Sequence, residues 1–480
     1  MTSQSLLSFL PILATGITAL LVLFCASFRC SHGMIAFMSA LGLLISLVLT
    51  FIDFDQSLMQ VNMPILIVDA YGLFMMQLML IFGIILIIFS YEYWRAQTIA
   101  PQEYYILIIL SLVGALVMVV SDHLASFFLG LELMTIPLYV LISYFSYKKH
   151  SLDAGVKYLI LAGASTSLLL FGMAFIYVQT GTMSLIEIND RLNDGLVVGP
   201  LFLIGFALVL VGVGFKISAV PFHLWTADVY AGAPLPAAAY LATISKGATM
   251  ALFLRLWQIV APSMPKVAWI IAILAALSMI GGNLLAFKED NLKRLLGYSS
   301  IAQFGYILMA ILSSGVTAFE AFLFYLSAYG VTILLIFGAL MCMESKRHEI
   351  FALKDFNSLF KTHRFLGIVL CLGLFSLMGI PFTAIFMGKV LVLMAGVESS
   401  QWILIAALLL SSILGLFVYL RIANAIFLSP NLGDLIPVKR TPWATSLLTM
   451  LAIATLALGL WPTLATNLMP LPYEQMSQTE

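Results

Sequence analysis

Runs of about 20 apolar residues recur along the whole of this 480-residue chain, and one such run crosses the hydrocarbon core of a bilayer as a single helix. No water-soluble core has use for so many. Hydrophobic residues make up 62% of the sequence and charged residues 9%, whereas roughly a quarter of a soluble domain is charged. The first run, residues 5–28, reads as a retained helix and not as a cleavable signal peptide. No Lys or Arg precedes it, it is long for a signal core, and no small-residue cleavage site follows it.

Hydropathy and turn signals divide the chain into about fourteen helices, at residues 5–27, 34–53, 70–91, 104–121, 123–145, 152–178, 200–229, 235–259, 266–287, 292–313, 318–343, 365–396, 402–427 and 443–464. Ser121-Asp122-His123 is the tight turn that separates the fourth run from the fifth. No soluble domain is visible, and the longest polar stretch, about 344–364, reads as a loop. The fold class is an all-α polytopic membrane protein.

The placement of charge orients this arrangement. Loops on one side would carry Arg29, Arg95, Lys148, Lys149, Lys288, Lys293, Arg294, Lys346, Arg347, Lys354, Lys361, Arg364, Lys439 and Arg440. The opposite side would carry only Arg191 and Lys266. Positive loops stay on the cytoplasmic face, so both termini are expected on the periplasmic side of a bacterial inner membrane. Lys157, Arg255 and Arg421 fall towards helix ends, where long stems snorkel to the interface.

Of the 22 cationic residues, that leaves Lys216, Lys246 and Lys389 inside the seventh, eighth and twelfth runs. Most acids lie in loops or at helix ends, but Glu132 sits in the middle of the fifth run. A charge near the bilayer centre costs about 2.5–3.5 kcal/mol on insertion scales. Two readings account for keeping four of them: a structural ion pair between Glu132 and one lysine, or a proton relay. One carboxylate cannot neutralise three lysines, which favours amines that titrate readily.

The flanks of two lysines share a pattern. The seventh run reads GVGFKISAVPFHLW, with Pro221 shortly after Lys216; the twelfth reads SLMGIPFTAIFMGKV, with Pro381 shortly before Lys389. A proline inside a helix removes a backbone hydrogen bond and kinks or breaks the helix. Paired broken helices in corresponding halves mark the ion path of inverted-repeat transporters. The chain then parses as N-terminal helices at 1–103, a first five-helix repeat at 104–260, a second at 261–430, and a last helix and tail at 431–480. His223, beside Pro221, is a relay candidate or a structural hydrogen-bonding residue. Gln303 is suited to hold water without titrating, with Tyr298, Ser299 and Ser300 beside it.

Cys25, Cys30, Cys342 and Cys371 match no metal-ligand spacing, and no metal site is expected. No nucleotide-binding or hydrolase motif is present either. Any redox centre would belong to other subunits. Net charge is zero, but location informs more than the sum, and no nucleic-acid partner is expected.

The segments LGLELMTIPLY around Glu132, FKISAVPFHLWTADVYAGAP around Lys216, LATISKGA around Lys246, and NLKRLLGYSSIAQFGY resemble the antiporter-like subunits of complex I, specifically NADH–quinone oxidoreductase subunit N, over nearly the whole chain. The resemblance implies fourteen helices, two inverted repeats and a line of charges along the membrane midplane. It implies that Glu132 and Lys216 interact in the first half-channel, that Lys246 is the central proton carrier, and that Lys389 ends the second half-channel. It also implies neighbouring membrane-arm subunits as partners, with NADH, FMN, iron–sulfur clusters and quinone bound elsewhere in the complex. Lys389 stands where the subunit M type has a glutamate, and the chain stops soon after its last run, unlike the subunit L type with its long lateral helix. Gln303 departs from the histidine that relatives often carry. A related subunit of a cation/proton antiporter or membrane-bound hydrogenase is the alternative. A solute carrier or a scaffold would leave the row of lysines unexplained.

Overall fold

Backbone amides and carbonyls have no water to bond in a bilayer, so an apolar run folds as a helix that satisfies them internally. The computed structural model describes residues 8–51, 61–63, 65–97, 101–145, 147–194, 198–343, 351–357, 359–428 and 441–470. Lys346, Arg347, Lys439, Arg440 and the start of the first run lie outside these residues, as do the chain ends whose side of the membrane the charges predict.

Among the described residues, 13 helices are long and apolar enough to cross a membrane. They are α1 (Leu10–Ser27), α2 (His32–Leu49), α3 (Ala70–Arg95), α4 (Gln102–Val119), α5 (Leu124–Ile142), α6 (Lys149–Thr180), α7 (Pro200–Ile217), α8 (Leu235–Ser263), α9 (Pro265–Ala286), α10 (Leu292–Leu312), α11 (Val316–Met343), α13 (Trp402–Phe427) and α14 (Pro442–Leu460). The remaining expected run, α12, is divided into Arg364–Met378 and Ala384–Glu398, each of 15 residues. Each half is too short to span alone, so the break and not a missing segment accounts for the difference from fourteen.

Local chemistry sets the ends. Asp69 Oδ1 accepts from the Gly72 amide at 2.7 Å at the start of α3, and His123 Nδ1 accepts from the Ala125 amide at 3.1 Å at the start of α5. Asn291 caps α10 through the Arg294 amide at 3.2 Å. Such caps satisfy amides that have no partner inside the helix. A feature the apolar pattern did not announce is a two-stranded antiparallel hairpin, β1 (Val61–Met63) with β2 (Leu66–Val68). Its register pairs Val61 with Val68 and Met63 with Leu66.

The chain forms two compact units. The first gathers Met1–Ile87, Pro101–Ser218 and Ile244–Ile270; the second gathers Ile88–Ala100, Ala219–Thr243 and Ile271–Glu480. In the first, α4 packs along α5, α6 along α7, and α1 against α2 and α4. Glycines allow the close approaches. A Cβ on Gly114 of α4 would fall 2.3 Å from the Met134 amide of α5, and one on Gly172 of α6 would fall 2.5 Å from the Gly205 carbonyl of α7. Small residues at helix contacts are what draw membrane helices together by van der Waals packing. In the second unit, α11 packs on both halves of α12 and on α14. The α10 helix packs on Thr226–Gly232, the helical piece that resumes α7.

Both anticipated breaks are present. Helix α7 ends at Ile217, where Ser218 turns left-handed at φ 64°, and turns through Pro221 lead to Thr226. Helix α12 ends at Met378 with Gly379 at φ 82°, passes Pro381 and Phe382 at φ 72°, and resumes at Ala384. A third irregularity lies in α8, where Leu241–Ser245 form a π-helical turn immediately before Lys246. Turns of that kind occur frequently at functional sites.

Candidate functional site

Three lysine amines lie deep in the protein: Lys216 is 2% exposed, Lys246 0% and Lys389 7%. In the first unit, the last turn of α7 directs Lys216 towards α5 and α6. Its Nζ donates to Thr135 Oγ1 at 2.5 Å and to Tyr158 OH at 3.4 Å. It also lies 5.5 Å from the centre of the Tyr158 ring, in the range of a cation–π contact. Glu132 is three residues before Thr135 on α5, so the two lie on neighbouring parts of one helix face. Among the described residues, no ion pair within 4.0 Å joins Glu132 to Lys216; the interaction that the resemblance implies is one of charge without contact. Thr135 occupies the lysine instead, and Glu132 Oε1 is buried with no hydrogen-bond partner. Leaving a buried acceptor unsatisfied costs about 1–3 kcal/mol. Glu132 thus stands one helical turn from the hydroxyl that holds Lys216, with its Oε1 open to a hydrogen-bond donor.

In the second unit, Lys389 reaches back from the second half of α12 to the end of the first. Its Nζ donates to the Met378 carbonyl at 3.0 Å, the last residue of that half-helix. A cation placed there meets orphan carbonyls and the negative end of the helix dipole. The amine also lies 5.2 Å from the Tyr306 ring centre. Tyr306 OH shares a 2.7 Å hydrogen bond with Ser411, which bonds Asn283 at 2.8 Å. Gln303, 2% exposed, accepts from the phenol of Tyr325 and donates to the Leu377 carbonyl at 3.5 Å. Ser299 hydrogen-bonds Tyr419. Lys389, Gln303 and these phenols thus form a buried polar group around the broken helix.

The remaining candidate residues are placed less centrally. His223 lies in the break of α7, half-buried, with Nδ1 lacking a partner. Tyr298 is half-buried on α10. Pro221 and Pro381 are exposed at the two breaks. One residue was misplaced by hydropathy: Lys293, expected in a loop, is 3% exposed. Its Nζ donates to the Ala233 carbonyl at 2.5 Å and lies 4.5 Å from the Phe351 ring. It sits one residue inside α10, and the segments from Ala233 and Phe351 cover it, which a linear charge count cannot register. Arg294 beside it pairs with Asp228 at 2.5 Å and with Glu289 at 2.9 Å. Arg255 is held by Asp69 at 2.8 Å instead of snorkelling.

Thr135, Tyr158, Tyr306, Tyr325, Tyr419, Ser411 and Asn283 went unnoticed in the sequence. Thr135 was within reach, since it follows Glu132 by one helical turn. Tyr325 and Ser411 have no such local signal. They are distant in the chain and meet only through packing. Among the described residues, no cluster of three or more His, Cys, Asp or Glu is placed to hold a metal ion.

A multi-pass helical protein with buried lysines at broken helices is an antiporter-like membrane subunit. The chain belongs to the family described as NADH:quinone oxidoreductase/Mrp antiporter, transmembrane, whose signature matches residues 121–415, more than half of the 480. A chain of respiratory complex I from Thermus thermophilus, solved with aureothin bound, is similar at 28% identity and TM-score 0.81, covering 95% of this chain and 98% of that one. A chain of the archaeal membrane-bound sulfane sulfur reductase shares the fold at 22% identity and TM-score 0.86, with 96% of each chain covered. A chain of the Mrp complex from Dietzia sp. DQ12-45-1b does so at 20% identity and TM-score 0.80, covering 98% of this chain and 96% of that one.

Proposed function

We propose that this chain translocates protons as the subunit N type of membrane-arm subunit in a bacterial NADH:quinone oxidoreductase. The observation that carries this is how the buried amines are held. Lys216 and Lys389 bond neutral oxygens, of Thr135, Tyr158 and the Met378 carbonyl, and neither is locked to a carboxylate. An ammonium donates to such oxygens, and so does a neutral amine. Loss of a proton therefore strands no opposite charge, whereas breaking a buried ion pair leaves one uncompensated.

On this reading Glu132, Lys216, Lys246 and Lys389 carry the proton in sequence, with Gln303, Tyr298 and His223 as supporting positions. Lys216 alternates between its present partners and Glu132, and its unpaired charge drives a proton from Lys246 towards Lys389. Two unit charges about 8 Å apart interact by about 2 kcal/mol at an effective dielectric of about 20. One proton crossing 100 mV requires about 2.3 kcal/mol, so one such step is of the right size. NADH, FMN, iron–sulfur clusters and quinone then belong to partner subunits, and quinone reduction there supplies the energy.

Subunits of an Mrp-type antiporter or of a related reductase or hydrogenase share the fold, and membership of such a complex is the second reading. The likeness to the Dietzia Mrp and archaeal reductase chains supports it. Identifying the proteins that co-purify with the tagged chain decides between them. Flavin and iron–sulfur subunits with NADH oxidation support the first, and an antiporter assembly without NADH activity contradicts it.

A further inference from the structure

The first unit has a second ionic cluster, away from its lysines. At one end of the unit, Arg255 of α8 grips Asp69 with two bonds, Nη1 to Oδ2 at 2.9 Å and Nη2 to Oδ1 at 2.8 Å. Its Nη2 also reaches the Val119 carbonyl at 3.5 Å. The guanidinium lies 5.2 Å from the Tyr71 ring centre, and Tyr71 OH donates to the Ala251 carbonyl of α8 at 2.8 Å. Arg255 is 12% exposed, and its Nε is buried with no hydrogen-bond partner. A bidentate pair to one carboxylate uses two of the five guanidinium donors. The fork still has a buried donor in reserve.

The second acid is Asp122, in the turn between α4 and α5. Backbone bonds hold it in place: its amide donates to the Ile65 carbonyl at 3.3 Å, and its carbonyl accepts from Leu185 at 2.8 Å. The adjoining bond from Ile67 to the Val120 carbonyl at 2.8 Å ties the same turn to the hairpin. Asp122 is half-buried, and no hydrogen bond or ion pair closes on its side chain among the described residues. It feels the charges of Arg255 and Asp69. Arg255 thus grips one carboxylate, that of Asp69, reaches the Val119 carbonyl three residues before Asp122, and acts on Asp122 without bonding it.

We propose that Asp122 is a further proton-carrying residue of this chain, through which the first unit exchanges protons with water at that end, with Arg255 as the positioning residue. The inference rests on the reading of the chain as a proton translocator. When Asp122 is ionised it draws Arg255 away from Asp69. When a proton from water or from the interior forms an O–H bond on Asp122, Arg255 returns to Asp69, and the proton later leaves to water. Lys246 is nine residues earlier on α8, about 13.5 Å along a helix at 1.5 Å per residue, so cluster and amine share one rigid element. Burial pushes the Asp122 carboxyl up to about 6, against the pull of Arg255 and with a push from Asp69. That is close to working pH, where an acid serves a transfer in both directions. The other titratable groups around it are Tyr71, His123, whose Nδ1 is engaged by Ala125, and Glu187, which acts on His123. Arg191 of the neighbouring short helix Leu185–Asn193 bonds the Thr180 carbonyl.

The test compares NADH-driven proton translocation across pH in membranes with equal amounts of assembled complex, for the parent chain, Asp122→Asn, Asp122→Glu and Lys246→Ala. Asp122→Asn should lose most translocation together with the inflection near pH 6, and Asp122→Glu should recover both. If Asp122→Asn keeps parental translocation and pH profile while Lys246→Ala loses translocation, this inference is wrong and the translocator reading stands. If both variants translocate normally, both are wrong. A second measurement covers a failure to assemble. In infrared pH titration of the parent and Arg255→Gln complexes, a carboxyl should titrate near pH 6 in the parent and higher without the arginine, because removing a nearby cation disfavours ionisation. No such shift overturns the proposal.

Discussion

At the residue scale, the proposed function turns on which oxygens hold each lysine. Thr135→Val removes the 2.5 Å acceptor of Lys216 Nζ and leaves Tyr158. Losing one hydrogen bond to a charged group is worth about 1.5–3 kcal/mol. The account expects Lys216 then to turn towards Glu132. A variant locked in that state should assemble and yet translocate more slowly, by about tenfold for each 1.4 kcal/mol of added barrier. Glu132→Gln keeps the shape of the side chain and removes its charge; it should impair translocation comparably, while Glu132→Asp should retain part. Normal translocation in Glu132→Gln, measured on membranes with verified complex levels, would remove Glu132 from the path.

At the scale of elements, the two breaks are flanked by Lys216 and Lys389 of the proposed relay. Gly379 sits at φ 82°, and a Cβ there would lie 3.2 Å from both Cδ and Nζ of Lys389. Gly379→Ala combines left-handed strain of about 1–2 kcal/mol with pressure on the amine. It should lower the thermal midpoint of the complex and slow translocation. Gly114→Ala, which brings a methyl 2.3 Å from the Met134 amide, should cost about 1–3 kcal/mol by forcing α4 and α5 apart. Its thermal midpoint should fall with little loss of translocation in the protein that remains folded. Helix number, the two breaks and the burial of Lys216, Lys246 and Lys389 were legible because apolar length, proline and charge are local signals. The hairpin, the burial of Lys293 and the partners of Lys216 were not. The hairpin is local but leaves no mark in the apolar pattern, while the other two depend on residues far apart in sequence, as when Thr135 and Tyr158 hold Lys216, or when Ala233 and Phe351 cover Lys293.

At the scale of the whole molecule, loop charge predicts sidedness. Single cysteines in the 54–68 and 180–198 loops should react with an impermeant thiol reagent from the periplasmic side. Those at 148–150 and 346–361 should react only after permeabilisation. The reverse pattern contradicts the positive-inside assignment. The decisive question is whether protons pass through the buried amines. Lys246→Ala removes the proposed carrier and also relieves a buried charge, so assembly should survive. Lys216→Arg keeps the positive charge on a group that does not deprotonate at usable pH. A scaffold tolerates both changes and a relay tolerates neither. The direct measurement is proton uptake alongside NADH–quinone activity in membranes with matched levels of assembled complex. The account predicts normal assembly with lost proton uptake and slowed electron transfer in both variants; full pumping in both would contradict it.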